Sequence, residues 1–187
     1  MNDDLKDSSD RRSRILAGAR EAFLRFGFKR TSLADIASGA GVSRTAVYHY
    51  FTNKDEVLLA VVDEMNDNTL RASREVLDEG HPIETAMVGL LDAKFGRTLA
   101  LLKESPHGAE LIDATHRLVG PAARVADAAF QGCVVKALVA GGMETDADAT
   151  ADTIVAAAKG LLGSADGLVS RERYLERICR LVHWVVS

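Results

Sequence analysis

TSLADIASGAGVSRTAVYHYFTNK, residues 31–54, decides how this 187-residue chain is read. Ser32 can cap a helix, with Asp35 three residues on as its acidic first-turn partner. Leu33, Ile36 and Ala37 fall on one face at helical spacing. Gly39 and Gly41 end that helix, because glycine enters backbone angles closed to other residues. Val42 follows, then Ser43 as a second cap and a second helix from Arg44 to Tyr50. Two short helices joined by a glycine turn have the helix-turn-helix geometry. Ala37 is small where the helices would touch, and Val47 points into the same contact. Arg44, Thr45, Tyr48 and His49 are left on or near the outward side, with Arg44 and Tyr48 sharing a face at i, i+4.

Those groups suit nucleic acid. Arginine can give a bidentate hydrogen-bonded pair to a guanine edge, and the threonine methyl can touch a thymine methyl. Tyrosine and histidine can donate to phosphate oxygens, which sets register rather than sequence. Lys54 opens the next helix, where its ammonium and the positive helix end could both face a phosphate. Thr31, Ser32 and Ser43, at the helix starts, complete the candidate DNA-binding set of Thr31, Ser32, Ser43, Arg44, Thr45, Tyr48, His49 and Lys54.

From about residue 14 to residue 58 the chain resembles the DNA-binding domain of the TetR (tetracycline repressor) family of bacterial transcription regulators. The resemblance rests on ILAGAREAFLRFGFKRTSLADIASGAGVSRTAVYHYFTNKDEVL. Its marks are Phe23 and Gly27, Thr31, Ile36-Ala37, Gly41-Val42, then Tyr48, Phe51 and Lys54. They form a long ordered set, unlike a lone helix-turn-helix match, and cover roughly the first third of the chain.

Charge divides the molecule in the same place. Residues 11–54 carry nine Lys and Arg against Glu21 and Asp35, a net of +7. Residues 55–187 carry 13 basic and 21 acidic residues, a net of −8. A basic head on an acidic body fits phosphate neutralisation by the head and keeps the body off DNA. The sequence is 47% hydrophobic, enough for a real core, but has no 18-residue apolar run to suggest a membrane span. The start, MNDDLKDSSDRR, lacks the apolar stretch of a secretory signal. Cys133 and Cys179 show no paired motif, and a reduced, cytoplasmic setting fits them best.

The expected fold is all-α, with about nine helices. Residues 1–10 read as a flexible tail, 11–54 as a three-helix DNA-binding domain and 55–187 as a helical body. Ile15, Leu16, Ala19, Phe23 and Phe26 form the apolar stripe of the first helix. A long helix runs to about residue 78, closed by Gly80. Pro82 to about Glu104 gives the next, and a shorter one covers Gly108 to Leu118. Gly120-Pro121 reads as a break before a helix to about Ala140. Thr145–Ala149 leads into a helix to about Leu162, and Ser170 caps the last, residues 171–186. No convincing strand is expected.

What the body does comes from the resemblance. It implies a homodimer whose last two helices pack as a four-helix interface, with Ile154, Ala158, Leu161, Tyr174, Ile178, Leu181 and Val185 as candidates. A core within one subunit explains the same amphipathic pattern. A dimer would set two recognition helices in successive major grooves about 34–36 Å apart and read a palindromic operator. The resemblance also implies a small-molecule effector pocket, with Met87, Leu91, Phe95, Leu99, His107, Leu111, His116 and Phe130 as candidate lining; each of these is more often plain core than ligand contact, and exposed loops are the safer reading for the histidines. No cofactor and no metal are expected, since isolated histidines nine residues apart are a weak metal signal. Effector-independent or protein-controlled DNA binding is the alternative. A helical enzyme is the remotest reading, since no nucleophile–base spacing, phosphate-cradling loop or HExxH stands in the sequence.

Overall fold

The computed structural model describes residues 2–186; the side chains of residues 2–7, 9 and 119–123 lie outside that description. Nine α-helices carry the described chain: α1 (Asn2–Phe26), α2 (Leu33–Gly39), α3 (Arg44–Tyr48), α4 (Lys54–Asp78), α5 (Ile83–Leu91), α6 (Arg97–Glu104), α7 (Gly108–Ala140), α8 (Ala147–Gly160) and α9 (Arg171–Val186). A π-helical turn, Asp92–Gly96, joins α5 to α6. Between α8 and α9 two residues, Gly163 and Ser164, pair antiparallel with Leu168 and Gly167, a minimal ladder not anticipated from the sequence.

The chain forms two compact units, Met1–Met65 with Glu104–Gly120, and Asn66–Lys103 with Pro121–Ser187. A single cut near residue 54 does not describe this division, because residues 104–120 belong with the N-terminal helices. In the first unit Ile15, Leu16, Ala19 and Phe23 of α1 are buried with Ile36, Val47, Phe51, Val57 and Leu58. Phe26, expected in the same stripe, is 40% exposed. Gly27, at φ +80°, turns the chain after α1 and lets Phe28 take the buried place, its ring centroid 5.5 Å from that of Phe23. Helix α1 meets α2 through glycine: a Cβ on Gly18 would come within 2.6 Å of the Ala40 nitrogen.

Three sequence expectations are corrected here. Helix α1 starts at Asn2, so residues 2–10 are helical rather than a tail; the Tyr50 hydroxyl donates to the Ser8 carbonyl at 3.2 Å and ties that segment down. The break at Gly120-Pro121 does not occur, since α7 runs unbroken from Gly108 to Ala140. A proline in a helix interior removes one hydrogen bond, and the backbone continues past it in helical geometry. The helix expected over Pro82–Glu104 changes pitch at the π turn.

The second unit buries Met87, Leu90, Leu91 and Leu99 with Phe130, Val134 and Leu138 of α7, Ile154 and Ala158 of α8, and Tyr174, Ile178 and Val182 of α9. Tyr174, Ile178 and Val182 recur at i, i+4, i+8, which is why α9 presents one continuous apolar face. Each fully buried large side chain contributes about 1.5–3 kcal/mol. At the π turn Asp92 accepts from Arg171 Nε at 2.9 Å and Nη2 at 2.5 Å. Gly96 leaves room for that carboxylate, since a Cβ there would collide with it.

Candidate nucleic-acid interface

Thr31 and Ser32 begin the two-helix element, and both hydroxyls are used inside the fold. Thr31 is 2% exposed, and its hydroxyl donates to the Gly27 carbonyl at 2.7 Å. Ser32 caps α2: its oxygen accepts from the Asp35 amide at 3.2 Å, while Asp35 accepts from the Ser32 amide at 2.8 Å. The Ser32 hydroxyl and then its amide hold the Asp35 carboxyl below the usual carboxylate range. Helix α2 ends with the Val42 amide donating to the Ala37 carbonyl at 3.0 Å, around Gly41 at φ +63°. That is a glycine stop of the Schellman type.

Ser43 then caps α3, accepting from the Ala46 amide at 3.1 Å. Val47 is fully buried and anchors this five-residue helix to the core. The anchor leaves Arg44, Thr45, Tyr48 and His49 exposed, as the spacing predicts. Arg44 Nη2 donates to the Tyr48 hydroxyl at 3.1 Å, and its guanidinium carbon lies 5.5 Å from the Tyr48 ring centroid. The exposed surface of α3 therefore carries an arginine already oriented by its neighbour one turn on.

Lys54 sits elsewhere than expected. Its ammonium donates to the carbonyls of Phe28 at 2.8 Å, Lys29 at 2.9 Å and Thr31 at 3.2 Å, and lies 4.8 Å from the Phe28 ring centroid. An ammonium has three hydrogens to give, so all are engaged and Lys54 is a staple for the corner between α1 and α2. Glu56 accepts from the Thr52 amide at 2.8 Å and Asn53 accepts from the Glu56 amide at 2.9 Å, closing the start of α4.

The same corner has a second support that sequence reading missed. Ser105 donates to the Leu24 carbonyl at 2.7 Å, the Lys29 amide donates to Glu110 at 2.6 Å, and Arg30 Nη2 lies 3.1 Å from His107 Nε2. A side chain at Gly27 would strike Glu110 and His107. Only distant pairing, 77 to 81 residues apart in sequence, creates this cluster.

The candidate effector lining divides between the units. Met87, Leu91, Leu99 and Phe130 are buried in one core, with Phe95 edge-on to Phe130 at 6.2 Å. His107 and Leu111 belong to the first unit, as does the exposed His116. The Tyr174 hydroxyl, at the heart of the second unit, has no hydrogen-bond partner among the described residues, and burial, then the Asp92 charge, raises its pKa. The expected interface residues divide by burial. Ile154, Ala158, Tyr174 and Ile178 are fully buried within the subunit, and Leu161, Leu181 and Val185 pack against the same core. The outward faces of α8 and α9 carry Ala149, Ala156, Cys179, Arg180 and Trp184 instead, with Trp184 81% exposed. Among the described residues no group of three metal-binding side chains forms, and no helix is long and apolar enough to cross a membrane.

A capped, glycine-turned helix pair with an exposed polar second helix defines a helix-turn-helix protein. Residues 15–61 match the family model for bacterial regulatory proteins, tetR family. The HTH-type transcriptional regulator TtgR of Pseudomonas putida is 42% identical over 81 residues, which are 42% of this chain and 38% of TtgR. The HTH-type transcriptional repressor AcnR of Corynebacterium jeikeium is 36% identical over 58 residues, 31% of each chain. These matches span well under half of the relatives' length. A TetR/AcrR-family regulator structure from Thermobifida fusca aligns over 92% of this chain and 96% of its own, with a TM-score of 0.66 at 24% identity. SmeT, the repressor of the Stenotrophomonas maltophilia multidrug efflux pump SmeDEF, aligns over 91% and 85%, with a TM-score of 0.61 at 25% identity. Residues 15–61 thus carry the DNA-binding signature of the tetR family, and the chain as a whole shares the fold of TetR/AcrR-family structures.

Proposed function

We propose that this chain is a dimeric transcriptional repressor that binds a palindromic operator through α3 and is released by a small-molecule effector. The observation that carries the reading is the exposed set Arg44, Thr45, Tyr48 and His49 on a short helix anchored by buried Val47. Arg44 would read a guanine, Thr45 a thymine methyl, and Tyr48 and His49 would add backbone contacts. Thr31, Ser32, Ser43 and Lys54 act behind them by holding the helices and the corner. In a bacterial cell the site of action is the cytoplasm, and no enzymatic step is assigned.

The dimer would form through the outward faces of α8 and α9. Ala149 and Ala156 permit close approach, and Trp184 offers an apolar anchor beside Arg180. The effector would enter the second unit, where the Tyr174 hydroxyl, unpartnered among the described residues, is a polar group awaiting a partner. A second reading, control by a protein partner or by none, is supported by the close burial of Met87, Leu91, Leu99 and Phe130.

The test is selection of duplexes from a randomised pool by the full-length protein. An enriched inverted repeat is expected, with half-sites about one helical turn apart. No enrichment, or an asymmetric single site, would count against the reading. Reporter assays on the selected sequence then separate repression from activation, and a thermal-shift screen of small molecules separates effector control from the second reading.

A further inference from the structure

The corner Gly27–Arg30 is held by a histidine whose protonation state is dictated by its partners. Arg30 Nη2 lies 3.1 Å from His107 Nε2. Arginine offers only donors, so Nε2 must accept and the imidazole must be neutral, with its proton on Nδ1. Nδ1 faces Glu110 Oε2 at 3.8 Å. The other Glu110 oxygen accepts from the Lys29 amide at 2.6 Å. The His107 and Glu110 side chains are only 18% and 28% exposed. The charged groups facing the imidazole are thus Arg30 from the corner and Glu110 from α7, while the Lys54 ammonium is bound to the Phe28, Lys29 and Thr31 carbonyls of the same corner. The backbone leaves no slack, because Gly27 packs directly under both His107 and Glu110.

We propose that His107 is a proton-operated latch on the DNA-binding head. Histidine is the side chain that changes charge between about pH 5 and 8. A proton arriving on Nε2 removes the acceptor that Arg30 uses and sets imidazolium against guanidinium. The same proton strengthens attraction to Glu110 and draws that carboxylate from the Lys29 amide. Both contacts between the α7 start and the corner weaken together. The corner carries Thr31 and leads directly into the cap of α2, so its loosening lowers affinity for DNA. The affinity consequence rests on the DNA-binding reading above; the latch itself does not.

The experiment compares the full-length protein with His107→Gln, which keeps an acceptor for Arg30 but does not titrate. Affinity for the duplex selected from the randomised pool is measured at pH 7.5 and 5.5. The wild type should weaken about tenfold more than the variant, the scale of one hydrogen bond to a charged group. His49, exposed on α3, is present in both proteins, so its contribution cancels in the comparison. Glu110→Gln, which no longer rewards the proton, should move the wild-type transition to lower pH. Equal pH dependence in wild type and His107→Gln overturns the proposal. A DNA-free arm follows the Arg30 Nε and Lys29 amide nitrogen signals by NMR. They should titrate with the His107 ring in the wild type and stay still in His107→Gln; signals that ignore the ring overturn the latch. A protein that selects no duplex at all overturns the DNA-binding reading and the affinity consequence with it, and the NMR arm then decides the latch alone.

Discussion

The Lys54 ammonium donates to the Phe28 carbonyl at 2.8 Å and lies 4.8 Å from the Phe28 ring centroid. One side chain from the first turn of α4 thus fixes the corner on which α2 begins. The prediction is that Lys54→Ala destabilises the protein by about 1–3 kcal/mol, since it strips a charged donor from three backbone acceptors. A phosphate contact would instead flatten the salt slope of DNA binding by about one unit on removal. Denaturant unfolding together with binding at several salt concentrations checks this: an unfolding loss with an unchanged slope is expected, and the reverse would return Lys54 to the DNA.

Gly18→Ala should also destabilise the head, although alanine is the better helix former. Helix propensity favours the substitution by about 1 kcal/mol. Against it stands a new Cβ within 2.6 Å of the Ala40 nitrogen and 2.9 Å of the Gly39 carbonyl carbon, both backbone atoms with nowhere to go. Overpacking of this kind costs about 1–3 kcal/mol, so a net loss is expected in urea unfolding. A gain in stability would mean that α1 and α2 separate readily.

Arg44→Ala should weaken specific binding by about 1–3 kcal/mol and relax preference at one base position per half-site. Tyr48→Phe should produce a smaller loss at that same position, because it removes the 3.1 Å hydrogen bond but keeps the ring under the guanidinium. Competition assays with duplexes altered one base at a time read both. Uniform weakening on every sequence would assign Tyr48 to phosphate alone.

Tyr174→Phe should leave stability unchanged or raise it by about 1 kcal/mol. The ring stays fully buried, and the substitution removes a hydroxyl that has no partner among the described residues; an unmatched buried polar group costs about 1–3 kcal/mol. Urea unfolding is the measurement. A clear loss of stability would reveal a bound partner for the hydroxyl.

Ala156→Glu should break the proposed dimer and spare the fold, since Ala156 is exposed on α8. Leu181→Glu should do the opposite, because Leu181 packs against the core of its own subunit. Sedimentation and circular dichroism on both variants separate association from folding.

Local signals made the head legible. Ser32 with Asp35, Ser43, Gly41 and buried Val47 all act within a few residues of themselves, and each behaves in the structure as its spacing suggests. What escaped is long-range. Lys54 looks like a phosphate contact until the Phe28, Lys29 and Thr31 carbonyls, more than 20 residues back, are folded onto it. His107 and Glu110 lie about 80 residues from the corner they support. In the body, amphipathic spacing identified the apolar faces of α8 and α9. It could not say whether Ile154, Tyr174 and Ile178 meet their own subunit or another, because both surfaces reward the same pattern.

Trp184 is the only tryptophan in the sequence, and it stands 81% exposed on α9. Its indole is therefore the single tryptophan fluorophore, bathed in water and excitable at wavelengths where the three tyrosines absorb little. Whatever comes to cover that face must shift its emission to the blue and shield it from iodide. Dissociation of any complex that covers it can thus be timed after rapid dilution in a stopped-flow cuvette with the unlabelled protein.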